Sequence, residues 1–312
     1  MEHIERSIVN ELSKRLDSAK MYYRIFSRTK SKESIKSKLN KKREKYLHNG
    51  EKMQDIIGIR IVFYFAADVY LFYNFLKSLD NFESESTTYE QLHNLQKRIS
   101  DIDLSTVVFM PTRLNLVLRM NDEQTELMRL ALPAFCDADD VALVDNTYEI
   151  QLRTVFSEGW HEVEHDLRYK TNTEAWWKDC EIESRMLNGI FATLETSERA
   201  MAHLFDNIAY KNYKSEDWDA MIRNHFCLRF SIDKLPPDIQ QVLSNNRCQI
   251  GKKIFKSDRN EIVRRLLESP ISCIMTTANI VYIINRIYLH EDSLFKLEPS
   301  GTKTVLDRMQ IH

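Results

Sequence analysis

The chain has 312 residues, enough for one large domain or two ordinary ones, and its 44 Lys and Arg nearly balance its 46 Asp and Glu. The formal net charge of −2 gives no whole-chain argument for binding to nucleic acid or to a membrane surface. No apolar run approaches the ~20 residues that a spanning helix needs, and the N-terminus lacks an apolar signal region, so we expect a cytoplasmic protein without a membrane partner.

Glycine is scarce, with only six in the chain and none between Gly58 and Gly159. The sequence therefore contains neither a Walker loop nor a dinucleotide-binding fingerprint. If a nucleotide binds, side chains must hold its phosphates. The five cysteines are scattered and odd in number, which is typical of reduced thiols rather than of a disulfide framework or a zinc knuckle.

The first predicted element is a helix over residues 3–26. A basic segment follows, because residues 28–45 hold nine Lys or Arg against two Glu. Within it, Lys30, Ser34 and Lys38 recur every four residues, so on a helix they line one side over about two turns. Such a strip is long enough for a polyphosphate, and a solvated basic helix face is the alternative interpretation.

Residues 55–65 form a nearly continuous apolar run that is typical of a buried strand, with Asp55 at its start and Arg60 inside it. Burying a lone arginine is expensive unless it meets an anion or an aromatic plane. Strict alternation puts Asp55 and Arg60 on opposite faces. Both can serve one site only if Asp55 precedes the regular strand or if a bulge intervenes.

The middle of the chain switches repeatedly between helical and strand-like hydrophobic patterns. The predicted elements are a helix at 67–79, a polar insert at 81–104 with a short helix near 89–99, a strand at 107–120, a helix at 123–132 and two strands within 141–154 joined by a tight turn. We therefore expect a sheet with flanking helices.

The most informative stretch is YEIQLRT at residues 148–154. As a strand it places Glu149, Gln151 and Arg153 on one face and apolar side chains on the other. A carboxylate near the centre of a sheet is costly unless a metal ion or cations hold it. An edge strand with solvated polar residues is the alternative.

An amphipathic helix is predicted after this strand, with Glu158 and Glu162 on its outer side. It contains HEVEH at residues 161–165, a literal HExxH, in which two imidazoles on one helix face could bind zinc as in zinc proteases. A later glutamate would have to supply the third ligand. Because such a short pattern arises easily by chance and leaves the other motifs unexplained, a zinc protease is the remote alternative.

Four blocks in order resemble the synthetase domain of the RelA/SpoT alarmone enzymes. They are RTKSKESIKSK from residue 28, DIIGIR from 55, YEIQLRT from 148, and the pattern Trp160, Glu164, His165, Tyr169 and Lys170. The resemblance implies an α+β fold for residues 1–172, with a mixed β-sheet related to nucleotidyltransferases and flanking helices. It also implies a pyrophosphokinase that moves the β,γ-pyrophosphate of ATP to the 3′-hydroxyl of GDP or GTP, giving (p)ppGpp and AMP.

The resemblance assigns the ATP-binding residues. Arg28 and Arg60 would sandwich the adenine, because flat guanidinium groups stack on aromatic planes. Lys30, Ser34 and Lys38 would hold the triphosphate, supplying by side chain what a glycine-rich loop supplies by backbone.

The resemblance also assigns the catalytic and metal-binding residues. Asp55 and Glu149 would bind Mg²⁺, which prefers carboxylate oxygens together with substrate phosphates and waters. Gln151 and Arg153, on the same face as Glu149, would position the acceptor, and His165 would support the acceptor side from the following helix.

The acceptor loop departs from the family's pattern, in which a Gly-Tyr pair precedes a Ser and a His and the Tyr stacks on guanine. Residues 109–116 read FMPTRLNL instead. Asn115 would stand where the His does, and Arg113 would stack on a base or grip a phosphate. A guanine nucleotide is the expected acceptor. The alternatives are an adenine nucleotide or the 3′ end of tRNA, as in toxic small members of the family, or a degenerate enzyme that senses nucleotides.

Residues 173–312 are interpreted as a mainly helical C-terminal module. The predicted elements are a helix over 174–211, a short strand over 226–232 and helices near 238–245, 258–268 and 273–289. Homo-oligomerisation, regulation of the synthetase and docking of a macromolecular acceptor are the roles left open. Only 27 residues precede Arg28, too few for the hydrolase domain of bifunctional members, so hydrolysis of the product is not expected.

Overall fold

The computed structural model describes residues 1–48, 50–85, 114–164, 180–245 and 249–310. The chain divides into two compact units. The first comprises Met1–Ser13 and Tyr23–Glu195, and the second Lys14–Tyr22 and Thr196–His312. The boundary at 172/173 that the sequence predicts falls outside the described ranges and stays a prediction.

A five-stranded mixed sheet forms the centre of the first unit. Its strands are β1 Tyr23–Thr29, β2 Ile57–Phe63, β3 Phe82–Glu85, β4 Leu114–Arg119 and β5 Thr147–Thr154. Their order across the sheet is β1-β2-β5-β4-β3, with β2 and β5 parallel and the other neighbours antiparallel. The α+β class and the mixed sheet predicted from the sequence are confirmed.

One face of this sheet is the core of the first unit. The central strands bury alternate apolar side chains there, namely Ile57, Ile59, Ile61, Leu114, Leu116, Leu118, Ile150 and Leu152. Because strand side chains alternate between faces, the residues between them point to the other face. On β2 and β5 that other face carries the polar residues predicted to form the site.

Helices flank the sheet of the first unit. They are the part of α1 Glu2–Ser18 up to Ser13, α2 Lys32–His48, α3 Ala66–Lys77, α4 Asp122–Ala131, the short α5 Ala138–Val141, α6 Val155–Glu164 and the beginning of α7 Glu181–Lys214. Within the described ranges, no helix is both long and apolar enough to cross a membrane.

The predicted helix over residues 3–26 is wrong beyond Ser18. The chain leaves α1 through Lys20, whose φ of 57° lies in the left-handed region that cannot continue a right-handed helix. Residues from Tyr23 onward then pair with β2 as a strand. This pairing joins residues 28 to 40 positions apart, from the Thr29–Ile57 pair to the Tyr23–Phe63 pair, so the local hydrophobic pattern does not contain it.

Two further predictions in the first unit need correction. The first strand predicted within 141–154 is absent, because residues 138–141 are helical and only Val144 forms an isolated bridge, with Met53. Part of the stretch predicted as a polar insert forms β3. The short helix predicted near 89–99 lies outside the described residues.

The second unit is mainly helical, as predicted. Besides the end of α7 it contains α8 Trp218–Phe226, α9 Pro237–Leu243, α10 Ile250–Phe255, α11 Arg259–Glu268, α12 Thr277–Ile284, α13 Asp292–Leu297 and α14 Ser300–Arg308. The strand predicted over 226–232 is wrong. Cys227 ends α8 in the left-handed region, and Arg223 then holds the following segment by donating to the carbonyls of Ser231 and Asp233 at 2.9 and 2.7 Å.

Gly251 in α10 gives a prediction about the packing of the second unit. A Cβ at this position would lie 2.4 Å from the Trp218 ring and 3.0 Å from the Leu243 carbonyl oxygen. The ring is held in place because its Nε1 donates to Ser244 Oγ at 2.7 Å. We expect Gly251→Ala to lower the free energy of unfolding by about 1–3 kcal/mol through overpacking, as measured by chemical denaturation.

Gly189 in α7 is the matched control. The described residues leave at least 4 Å of open space around the position of its Cβ. Because alanine is the better helix former, Gly189→Ala should be neutral or slightly stabilising. Equal effects of the two substitutions would contradict the role assigned to Gly251.

Candidate active site

One row of residues crosses the sheet near the start of β2. Arg28 of β1 pairs with Gly58 of β2, and Gly58 pairs with Glu149 of β5. Partners in register share a face of the sheet, and around the Gly58 Cβ position no atom of the described residues lies within 4 Å. The row therefore has an open gap between a cation and a carboxylate, where a ligand can approach the backbone.

A second row lies two residues further along and takes one residue from each of four strands. Its members are Phe26, Arg60, Gln151 and Asn115. Phe26 is 52% exposed, more than any other phenylalanine of the described residues. Phe26 was not predicted as a site residue because it lay inside the predicted helix. The alternation of Arg24, Phe26 and Arg28 is the signal that could have revealed a strand.

Asp55 lies two residues before β2, so no bulge is needed to bring it to the site. Lys30 Nζ donates to its Oδ2 at 2.9 Å and to its backbone carbonyl at 2.8 Å, and Lys38 Nζ donates to the same Oδ2. Burial alone would raise the pKa of the Asp55 carboxyl, but the hydrogen bonds and charges of Lys38 and Lys30 outweigh it and hold the pKa below its ordinary value. Asp55 is therefore an ionised carboxylate between two cations.

The three predicted phosphate-binding residues do not share one helix face. Lys30 precedes α2, and its backbone N–H donates to the Ile56 carbonyl at 2.9 Å, so it reaches Asp55 from the segment between β1 and α2. Ser31 ends that segment and accepts the N–H of Ser34 at 3.3 Å, which caps the helix. Ser34 thus stands in the first turn of α2, where backbone N–H groups and the helix dipole favour an anion.

Asp55 and Glu149 each offer an oxygen of the kind that a hard divalent cation binds. Asp55 Oδ1 is buried and accepts no hydrogen bond from the described residues. Glu149 Oε1 accepts a long contact of 3.5 Å from Gln151 Nε2. Asp55 precedes β2 and Glu149 lies near the start of β5, so they come from the same end of two parallel strands. Carboxylate oxygens with unused acceptor capacity are the ligands that Mg²⁺ prefers.

Helix α6 turns Glu158 toward the sheet, which corrects the prediction that it lies outside, whereas Glu162 is exposed as predicted and still reaches Arg60. Glu158 Oε1 accepts from Arg60 Nη1 at 2.7 Å, Glu158 Oε2 accepts from Arg153 Nη1 at 2.7 Å, and Glu162 also accepts from Arg60 Nη1. Burial lowers the pKa of Arg60, but these carboxylates outweigh it and raise the pKa above its ordinary value. Arg60 therefore stays a cation in the partly buried site.

The rotation of α6 has a physical cause. The hydrophobic pattern predicts Val155 and Val163 on the apolar side, yet both are exposed, whereas Trp160 and His161 are buried. Trp160 packs against Phe191, with ring centroids 5.5 Å apart. A large aromatic ring and two arginine partners decide the orientation of α6 more strongly than two valines do.

Two predicted acceptor-side residues, Arg113 and His165, lie outside the described residues, as does most of the acceptor loop. Asn115 lies on β4 directly opposite Gln151. Of the HExxH pattern, His161 is buried in α6. The second histidine of that pattern, His165, lies outside the described residues, so the zinc-site interpretation stays a prediction.

Several basic residues of the second unit form ion pairs with carboxylates. The ion pairs are Arg223–Asp219, Arg229–Asp17, Lys253–Glu291, Arg264–Glu261, Arg264–Glu268 and Arg265–Glu261. Such pairs are typical of ordinary solvated helix faces.

Comparisons with known proteins match the part of the chain that contains the candidate site. A sequence family described as "Region found in RelA / SpoT proteins" matches residues 27–174, a range that contains every candidate site residue from Arg28 to His165. Among curated proteins, none matches the chain.

Solved structures similar to the chain include three synthetase-type proteins. Small alarmone synthetase 1 from Bacillus subtilis is 20% identical, with 64% of this chain and 92% of that chain covered and a TM-score of 0.40. Small alarmone synthetase 2 from the same organism is 20% identical, with 64% and 89% covered and a TM-score of 0.42. A GTP pyrophosphokinase family protein from Streptococcus pneumoniae is 20% identical, with 65% and 90% covered and a TM-score of 0.42.

Proposed function

We propose, because residues 27–174 form a RelA/SpoT-type synthetase domain, that this protein transfers the β,γ-pyrophosphate of ATP to the 3′-hydroxyl of GDP or GTP. The products would be AMP and (p)ppGpp. Nucleotides of the cytoplasm would be its substrates, and Mg²⁺ its cofactor. The proposal rests on the family for the reaction and on the geometry of the site for the residues.

The observation that carries the proposal is the arrangement around Asp55. Two lysines converge on one carboxylate oxygen, and the other oxygen is buried and accepts no hydrogen bond from the described residues. Two adjacent cations suit a triphosphate, and an unused carboxylate oxygen suits a metal ion that bridges to phosphate. A chain without a glycine-rich loop can thereby bind a nucleotide through side chains.

The sheet face would hold the adenine. Successive same-face residues of a strand lie about 6.6–6.8 Å apart, roughly twice the 3.4 Å rise between stacked bases. A base inserted between the row of Arg28 and the row of Arg60 would therefore contact both guanidinium planes. Gly58 leaves space for it, and Phe26 adds an exposed ring beside Arg60.

The chain's own residues would supply mainly alignment and charge. Lys30 and Lys38 both donate to the single Asp55 carboxylate, which neutralises only one of the two positive charges, and we expect both lysines to hold the phosphates together with Ser34. Asp55 and Glu149 would hold Mg²⁺, which when bound stabilises charge on the phosphoryl oxygens and eases ionisation of the attacking hydroxyl. Phosphoryl transfer needs little more than such positioning and charge stabilisation, so these residues are sufficient in kind.

The acceptor nucleotide would bind next to Gln151, Arg153 and Asn115, on the side of Glu149 away from Arg28. Arg153 Nη2 donates to Gln151 Oε1 at 3.1 Å, so the two side chains that would position the acceptor hold each other. Asn115, opposite Gln151, would complete this side. Two fixed hydrogen-bonding groups beside a guanidinium suit the hydroxyls and phosphates of a second nucleotide.

The test is incubation of the purified protein with ATP labelled at the β or γ position and, separately, GDP, GTP, ADP, ATP or tRNA. We expect label on GDP or GTP, with one AMP formed for each labelled product. Label on tRNA or on an adenine nucleotide alone would overturn the guanine acceptor. Label on no acceptor would overturn the transferase proposal itself.

A further inference from the structure

A continuous set of hydrogen bonds crosses the candidate site from one proposed subsite to the other. In order, it joins Glu162, Arg60, Glu158, Arg153, Gln151 and Glu149. One end contains the arginine proposed to stack on the adenine of the donor. The other end contains the side chains proposed to position the acceptor and to bind the metal.

Glu158 is the residue in the middle of this set. Each of its two oxygens accepts from a different arginine, Arg60 and Arg153, and both distances are 2.7 Å. The side chains of Glu158 and Arg153 are only 17% and 10% exposed. A charged hydrogen bond in such a shielded place is stronger than one at the surface, and losing its partner leaves a buried charge uncompensated.

The contacts of Arg60 leave its role in stacking intact. Both glutamates bind at Nη1, on the edge of the guanidinium group. A carboxylate bound at the edge lies in the plane of the group, so it fixes the orientation of the plane while the two flat faces stay available to a base. Glu158 can therefore orient Arg60 without competing with an adenine ring.

We propose that Glu158 is a positioning residue shared by the donor and acceptor subsites, and that it couples the binding of the two nucleotides. This inference rests on the proposed function, because it assumes that Arg60 contacts the donor and Arg153 the acceptor. A nucleotide that fixes either arginine also fixes the Glu158 carboxylate, and so prepares the other arginine. Linkage then requires that each nucleotide strengthen the binding of the other by the same factor.

Glu162 is the matched control for this proposal. It lies one helical turn after Glu158 and also accepts from Arg60, but it is 53% exposed, and the described contacts connect it to the donor arginine alone. Removing its charge should therefore affect the donor without affecting the acceptor. The comparison separates a bridging role from a general need for negative charge on α6.

The experiment is calorimetric titration of the wild type, Glu158→Gln and Glu162→Gln with a non-hydrolysable ATP analogue, with GDP, and with each in the presence of the other. Glutamine keeps the size of Glu158 but turns an amide N–H toward one of the two guanidinium groups. We expect Glu158→Gln to lower the affinity for each ligand about ten-fold. We also expect that, in this variant, neither ligand raises the affinity for the other. We expect Glu162→Gln to weaken the ATP analogue alone.

Melting temperature and circular dichroism of each variant distinguish positioning from folding. If Glu158 only supported the fold, the titrations would show wild-type affinities with a reduced number of competent sites. Wild-type affinities with fewer competent sites would overturn the inference about Glu158 but not the proposed function. The same holds if Glu158→Gln binds both ligands as tightly as the wild type or more tightly, or if Glu162→Gln weakens GDP binding as much as Glu158→Gln does. A wild type that binds no ATP analogue would overturn the proposed function as well.

Discussion

Replacing Asp55 with Asn is expected to lower the rate of pyrophosphate transfer roughly 10³-fold or more, because a preorganised charge at a phosphoryl centre is usually the largest catalytic contribution. Asparagine keeps the size of the side chain but loses the negative charge. It also replaces one of the two carboxylate oxygens with an amide NH2 group, whose nitrogen does not bind Mg²⁺. The measurement is the rate of AMP formation from labelled ATP at saturating Mg²⁺.

Asp137→Asn is the matched control for this prediction. Asp137 also pairs with a lysine of α2, Lys36 at 3.0 Å, but it is 72% exposed and this pair includes no residue of the candidate site. An exposed pair of this kind contributes about 0–1 kcal/mol, so the variant should fold and react like the wild type. Glu149→Gln should reproduce the loss seen in Asp55→Asn. Wild-type rates in both carboxylate variants would remove the metal assignment.

The second large effect is expected for Lys30→Ala combined with Lys38→Ala. Each lysine is assigned a charge-assisted contact with phosphate, worth roughly 1.5–3 kcal/mol. Loss of both contacts should lower the affinity for the ATP analogue by about 10²-fold or more, since every ~1.4 kcal/mol is a factor of ten in affinity. Calorimetric titration with the Mg²⁺-bound analogue measures this directly.

The control for the lysine variant removes the same amount of positive charge, from two other lysines that lie inside α2. Lys36 and Lys45 pair with Asp137 and Glu51, away from Asp55. Their double alanine variant therefore shares the change in net charge while leaving the proposed phosphate contacts in place. An equal loss of affinity in the two double variants would show that this region acts only through its overall charge, and it would refute the assigned phosphate contacts.

The polar face of β5 could be predicted because it depends on a local period. Residues Glu149, Gln151 and Arg153 alternate with buried Ile150 and Leu152 as the two-residue repeat of a strand requires. The same holds for the apolar run of β2 and for the α+β class. A pattern within one strand is sufficient for these features.

The features that could not be predicted depend on distant pairing. The strand that carries Phe26 and Arg28 exists because it pairs with β2, whereas its own residues also fit the end of a helix. Lys30 and Lys38 meet at Asp55, although one precedes α2 and the other is inside it. The helical repeat predicts that Lys30 and Lys38 share one face of a helix. In the structure they meet because the segment before α2 and α2 itself both reach Asp55.

The position of Glu158 could not be predicted from the sequence pattern for a related reason. A hydrophobic stripe defines which side of a helix faces the core only when the apolar residues outweigh the other contacts. In α6 the buried Trp160 and two arginine partners decide the rotation instead, and two valines remain exposed. The position of Glu158 therefore depends on arginines of neighbouring strands, which a pattern within α6 does not contain.

The most direct test of the central claim is a crystal structure of the protein with Mg²⁺ and a non-hydrolysable ATP analogue. We predict the triphosphate on Lys30, Ser34 and Lys38, the base between Arg28 and Arg60, and the metal ion bound by Asp55 and Glu149. A nucleotide bound elsewhere, or a metal ion that touches neither carboxylate, would contradict the claim.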